Sequence, residues 1–158
     1  MTELPLPQAF RLADWACVAA AEIAITPVIC RGKSEHAPTC TLATLKGRYL
    51  FAVHGTLLPP AFGVTEPTPS DAAGFHIFNG DGTGRDTVTF RLGGETVLEN
   101  EVLPLSYTVN ADCTGSFTVT NGPSFGIFIA PDGESFAEIS AAPQGNEVSD
   151  IARRVSRK

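Results

Sequence analysis

No stretch of this sequence is apolar enough to cross a membrane as a helix. The longest apolar-looking run, Leu12 to Cys30, is broken by Asp14, Glu22 and Pro27, short of the roughly 20 uninterrupted apolar residues a span requires. The same run makes a poor signal peptide, because Glu3 precedes Arg11 and charges interrupt its apolar part. That favours a cytoplasmic chain. Positive charge is also scarce, with 11 Lys and Arg against 17 Asp and Glu and a net charge of −6. A chain with this balance lacks the basic face that a general nucleic-acid binder uses to displace counterions. Cys17, Cys30, Cys40 and Cys113 form no C-x-x-C pair, which removes the zinc-knuckle and thioredoxin readings. Oxidised, they allow three pairings; reduced, they are four small buried thiols. Absent too are the Gly-x-Ser-x-Gly elbow, the Walker loop and His-Glu-x-x-His, so no hydrolase, nucleotide or zinc-protease motif is present. No cofactor and no metal are expected.

What the 158 residues do contain, at 43% hydrophobic and 18% charged, suits one soluble domain with one core. Residues 1–40 carry no strand alternation and read as an N-terminal helical arm and linker. Phe10, Ala13, Ala16/Cys17 and Ala20/Ala21 recur at three and four, between Pro7 and Pro27, predicting a helix over Gln8 to Ile25. From residue 41 short alternating runs are separated by Gly, Asp, Asn and Pro, predicting a β-barrel domain over 41–158. Strands are expected near 47–57, 73–79, 85–92, 96–102, 104–110, 115–121, 124–130, 134–141 and 147–154. The expected fold is all-β, a small antiparallel up-and-down barrel of eight or nine strands. The basic cluster Arg153 to Lys158 reads as a solvated tail.

Three turns share their chemistry: Asn79-Gly80-Asp81-Gly82-Thr83-Gly84, Asn110-Ala111-Asp112-Cys113-Thr114-Gly115 and Pro131-Asp132-Gly133. Asp and Gly there supply the Asx-turn and left-handed geometry of hairpins. Asn79, Asp81, Thr83 and Gly84 imitate the start of a calcium loop, but Phe90 stands where that loop needs its bidentate Glu. A plain turn is the better reading.

The segment Thr41-Leu42-Ala43-Thr44-Leu45-Lys46-Gly47-Arg48-Tyr49-Leu50-Phe51 resembles the "ATLKGxYxF" opening of a group of small, mostly exported bacterial β-barrel proteins. The Phe78-to-Gly84 turn, Tyr107 to Gly115 and Ala152-Arg153-Arg154 match that group's later landmarks, so the likeness covers about residues 40–155. It implies a lipocalin-like or allene-oxide-cyclase-like barrel. It also implies that Cys40 pairs with Cys113, which would place the protein outside the reducing cytoplasm. The activity of the group is itself obscure, so the resemblance carries fold more than function.

Candidate functional residues are therefore sought inside the barrel. His76, Tyr107 and Glu138, if they point inward, could orient a ligand or transfer a proton. Tyr49, Phe51, Phe62, Phe75 and Phe125 are the candidate ligand-binding aromatics. His54, Glu99 and Glu101 read as solvent-facing. The segment Leu57 to Asp71, with four prolines, reads as a stiffened loop at the barrel mouth, with Phe62 and Val64 lining it. These features point to a protein that binds a hydrophobic small molecule. A cofactor-independent cyclase or isomerase acting by preorganisation is the alternative, and an exported interaction module, compatible with a homo-oligomer, is a third.

Overall fold

In a computed structural model, the described residues are 39–158. The predicted helical arm, Cys17 and Cys30 lie outside them. The described chain is a closed barrel of eight antiparallel strands in sequence order: β1 Gly47–Leu57, β2 Thr68–Phe78, β3 Thr83–Leu92, β4 Glu95–Val109, β5 Thr114–Val119, β6 Ser124–Ile129, β7 Ser135–Ala142 and β8 Asn146–Ser156. Each strand pairs with its neighbour in sequence, and β1 pairs with β8 to close the wall. Closure leaves no free strand edge. An eight-stranded barrel has an interior that side chains can fill, or that can hold one small ligand.

Alternation decides which residues enter. On β1 the odd positions Tyr49, Phe51 and Leu57 are buried, and on β2 the even positions Ser70, His76 and Phe78. His54 therefore lies on the outer wall, where its Nδ1 meets Asp71 Oδ1 at 2.7 Å. Glu99 and Glu101 are exposed.

Three expectations need correction. The predicted strands 96–102 and 104–110 are one strand, β4, running straight through Pro104. The Pro104 carbonyl accepts from Thr120 N–H, just beyond the end of β5. In an antiparallel strand a residue's N and C=O face the same neighbour, so the missing N–H falls where no ladder partner remains. The irregularity in β4 lies instead at Asn100, whose φ is 52°, where the register with β3 slips between Val88 and Phe90. Second, β2 starts at Thr68, so Pro69 and Asp71 belong to the sheet and the mouth loop shortens to residues 58–67. Third, Arg153 and Arg154 are no solvated tail: β8 carries both, and the Arg154 side chain is 2% exposed.

One end of the barrel is stoppered. Tyr49, Phe78, Tyr107, Phe117 and Phe136 interlock there, with Phe78 edge-on to the rings of the other four. A 3-10 turn over Leu42–Leu45 lies across this end and buries Leu45 completely. A disulfide between Cys40 and Cys113 ties the start of that segment to the β4–β5 turn. The polar atoms of the stopper are paired. Tyr49 Oη donates to the Gly133 carbonyl at 2.6 Å and accepts from Arg154 Nε at 3.0 Å. Arg154 also donates to the Thr44 carbonyl at 2.5 Å. Tyr107 Oη donates to the Leu42 carbonyl at 3.0 Å and accepts from Gly80 N–H at 2.9 Å. Gly133 has φ +69°, and a Cβ there would lie 2.2 Å from the Thr44 carbonyl, so the close approach requires glycine.

The two Asn-x-Asp-x-Thr-Gly turns at the same end are copies of one another. In each, the Asn amide donates to the Thr hydroxyl at 2.9 Å, and that hydroxyl donates to the Asp carboxylate at 2.7 Å. These hydrogen bonds hold the carboxyls of Asp81 and Asp112 below the usual carboxylate range. The turns spend their ligand-like atoms on themselves. Among the described residues no cluster of His, Cys, Asp or Glu is arranged to hold a metal ion.

Candidate functional site

The opposite half of the barrel is hollow. A cavity of about 440 Å³ extends from the middle of the barrel to its open end. Apolar side chains make most of its wall, among them Phe51, Val53, Val88, Phe90, Leu103 and Phe125. Five polar or charged residues among the described ones are buried as whole residues: Ser70, His76, Asp86, Glu138 and Asn146. All five line this cavity.

His76, Asp86 and Glu138 form its floor. His76 projects from β2 and Asp86 from β3, at cross-strand partner positions, while Glu138 reaches in from β7. His76 Nδ1 lies 2.8 Å from Asp86 Oδ1, a hydrogen bond between two buried side chains. On the other side of the ring Nε2 lies 3.3 Å from Glu138 Oε2, close enough for ionic attraction but misaligned for a hydrogen bond. Neither of these last two atoms has a hydrogen-bond partner, although both side chains are only 2% exposed. Phe51 stacks on the imidazole at 4.1 Å and 13°, fixing the ring plane. Phe117 and Phe136 press on it from the stoppered side.

This setting determines the charge of the imidazole. Burial works against the imidazolium, but the charge and hydrogen bond of Asp86 and the close Glu138 carboxylate outweigh it, and the His76 pKa is pushed up to about 10. At neutral pH His76 is therefore protonated. Nδ1–H is committed to Asp86, and Nε2–H lies against the Glu138 carboxyl group. The cavity floor thus holds an imidazolium between two acidic side chains beneath an apolar vault.

The structure distributes the candidate residues between the two halves of the barrel. His76 and Glu138 come together on the cavity floor, and Phe51, Phe62 and Phe125 line the walls. Phe62, at the mouth, is 49% exposed. Val64 does not line the cavity. Tyr107 and Tyr49 do not meet this pair, since their hydroxyls belong to the stopper, where burial pushes both phenols up. Phe75 points outward, with the Arg48 guanidinium 3.5 Å above its ring.

Asp86, Ser70 and Asn146 were not among the residues sought from the sequence. Asp86 had a legible signal, because it is in phase with Val88, Phe90 and Leu92, the apolar face of its own strand. Ser70 and Asn146 stand at strand ends beside proline and glycine, where the pattern gives no such warning.

In comparisons with protein families, curated proteins and solved structures, no match was found. The functional reading therefore rests on the barrel itself.

Proposed function

We propose that this barrel binds a hydrophobic small molecule in its interior. One observation carries the reading: Ser70, His76, Asp86, Glu138 and Asn146, the five polar or charged residues buried as whole residues among the described ones, all line a single, largely apolar cavity. Burying such groups costs stability unless something repays it, and an apolar vault with a few convergent polar groups is the usual form of a small-molecule site. The Cys40–Cys113 disulfide supports an exported setting, since such bonds persist in oxidising compartments. The lipocalin-like or allene-oxide-cyclase-like resemblance agrees with a cavity-bearing barrel.

The test is direct. Protein purified under native conditions is extracted with organic solvent and analysed by mass spectrometry, and binding of a neutral polarity-sensitive dye is titrated. Ala72→Phe, which fills the cavity from β2, is expected to abolish dye binding while the far-ultraviolet circular dichroism is kept. Unchanged dye binding in that variant refutes the proposal.

A cofactor-independent isomerase is the second reading, favoured by the pairing of His76 Nε2–H with Glu138 Oε2 at 3.3 Å. Such a pair could polarise a carbonyl while removing a neighbouring proton. Exchange of the α-hydrogens of an apolar ketone in heavy water, followed by NMR, tests it. A rate no higher than that of Glu138→Gln excludes it.

A further inference from the structure

The charge of the cavity floor and its open oxygen atoms specify the kind of molecule that fits. We propose that the cavity takes a lipophilic amine, an apolar molecule whose ammonium group donates a hydrogen bond to Glu138 Oε1. The proposal rests on the ligand-binding reading above and deepens it.

Which oxygens are open decides the anchor. Asp86 spends Oδ1 on His76 Nδ1, and Glu138 holds Oε2 against His76 Nε2, a pair of atoms sealed from solvent. The second oxygen of each carboxyl group, Asp86 Oδ2 and Glu138 Oε1, makes no hydrogen bond. Neither is sealed, since among the described residues only His76 Nε2 and Glu138 Oε2 are both sealed and without a hydrogen-bond partner. Asp86 and Glu138 project to the inside of a closed wall, in phase with Val88 and with Phe136. The space on which their second oxygens open is therefore the cavity that both residues line. Of the two, Glu138 is the freer acceptor. Asp86 is committed to the imidazole by an aligned hydrogen bond of 2.8 Å, whereas Glu138 faces it at 3.3 Å without one.

Charge points the same way. Two acidic side chains flank one imidazolium, which leaves the floor one negative charge in excess. Asp71, the third acidic residue of the lining, is paired with His54. Among the described residues no Lys or Arg lines the cavity to balance the excess. An uncompensated charge in apolar surroundings is costly, and a cation brought by the ligand removes that cost. Common head groups divide on these two criteria. A carboxylate or phosphate adds negative charge and brings no donor. A carbonyl or ether only accepts. A hydroxyl donates but leaves the charge uncompensated. An ammonium supplies donor and charge together, and hydrogen bonds between ionised groups are about twice as strong as neutral ones. Ordinary fatty acids are therefore disfavoured despite the apolar walls.

The experiment uses the full chain and one matched series at neutral pH: n-octylamine, n-octanol, octane and octanoate, each displacing Nile red from the protein. Octylamine is expected to bind about tenfold more tightly than octanol, with octanoate weaker than both. In Glu138→Gln the advantage of octylamine over octanol should shrink by about the same factor. Octanol or octanoate binding the wild type as tightly as octylamine overturns the amine proposal and leaves apolar binding intact. An advantage that survives Glu138→Gln overturns the assigned anchor and the proposal with it. Ala72→Phe separates the cavity from the acidic outer surface. Calorimetric binding of octylamine should be lost there, and its retention would place the amine outside the barrel and overturn the proposal. If neither the dye nor any member of the series binds the wild-type protein, the ligand-binding reading fails and the proposal fails with it. The wild-type series decides the matter even where a variant does not fold.

Discussion

The two halves of the barrel treat buried polar groups in opposite ways. At the stoppered end, Tyr49, Tyr107 and Arg154 carry hydroxyls and a guanidinium into the core, and each finds backbone carbonyls or another side chain. On the cavity floor, His76 and Glu138 leave two atoms without a hydrogen-bond partner. The strands are the same and so is the alternation. What differs is whether the wall residues fill the bore. Five interlocked aromatics close one half, whereas valines, leucines, Ala72 and phenylalanines set around the wall leave the other hollow. The stopper is closed and fully paired, and the floor is where the proposed ligand would have to be met.

This contrast can be broken most forcefully at the disulfide. It closes a separation of 73 residues, and the loop-entropy relation gives a loss of about 4 kcal/mol for removing such a cross-link. Denaturant unfolding of Cys40→Ala/Cys113→Ala should show that loss, and an unchanged midpoint would deny the stopper its assigned role. Phe136→Ala, at the centre of the aromatic cluster, should cost about 3–5 kcal/mol by leaving a cavity in packed core. Val88→Ala, on a wall that already faces a cavity, should cost only about 1 kcal/mol, so equal losses from the two variants would contradict the division. Arg154→Ala should cost about 2–3 kcal/mol, since it removes the donor to the Thr44 carbonyl and one of the two hydrogen bonds of Tyr49 Oη. Arg154→Lys should recover part of this, because one ammonium cannot reproduce the spread of the guanidinium.

A subtler effect comes from the floor. His76 has an ordinary pKa of 6.5 in the unfolded chain and about 10 in the barrel, so folding takes up a proton between those values. Its contribution to stability is full below about pH 6.5 and is lost as the pH rises through about 10. Unfolding free energies measured across this window should fall with pH, and His76→Gln should flatten the slope. A slope of the same size in the variant would place the titration elsewhere.

Much of this architecture was legible in the sequence because period-two alternation is a local signal. Tyr49-Phe51, Phe125-Ile127-Ile129 and the Asn-x-Asp-x-Thr-Gly turns mark strands and hairpins without reference to distant residues. His76 and Glu138 were legible as candidates for the same reason, each being in phase with a phenylalanine, Phe78 and Phe136. Depth along the barrel axis was not legible. Tyr107 and His76 both point inward, yet one lies in the stopper and the other on the cavity floor, a difference set by strand stagger and closure. Arg154 was misread because charge suggested solvent, whereas its register opposite Tyr49 makes it the clamp of the closed end. The boundary expected between 102 and 104 is absent because the missing N–H of Pro104 faces a point that β5 stops one residue short of.

Pairing of β1 with β8 has a further consequence, in time rather than in space. Seven of the eight strand pairings join neighbours in sequence and can form as the chain emerges. The eighth joins residues about a hundred positions apart and must wait for β8, the last strand made. Until then β1 presents an open edge, and the Tyr49 hydroxyl lacks the guanidinium it will hold. Arg154 thus arrives as the latch: the strand that closes the wall also delivers the group that locks the stopper, so the two events become one cooperative step.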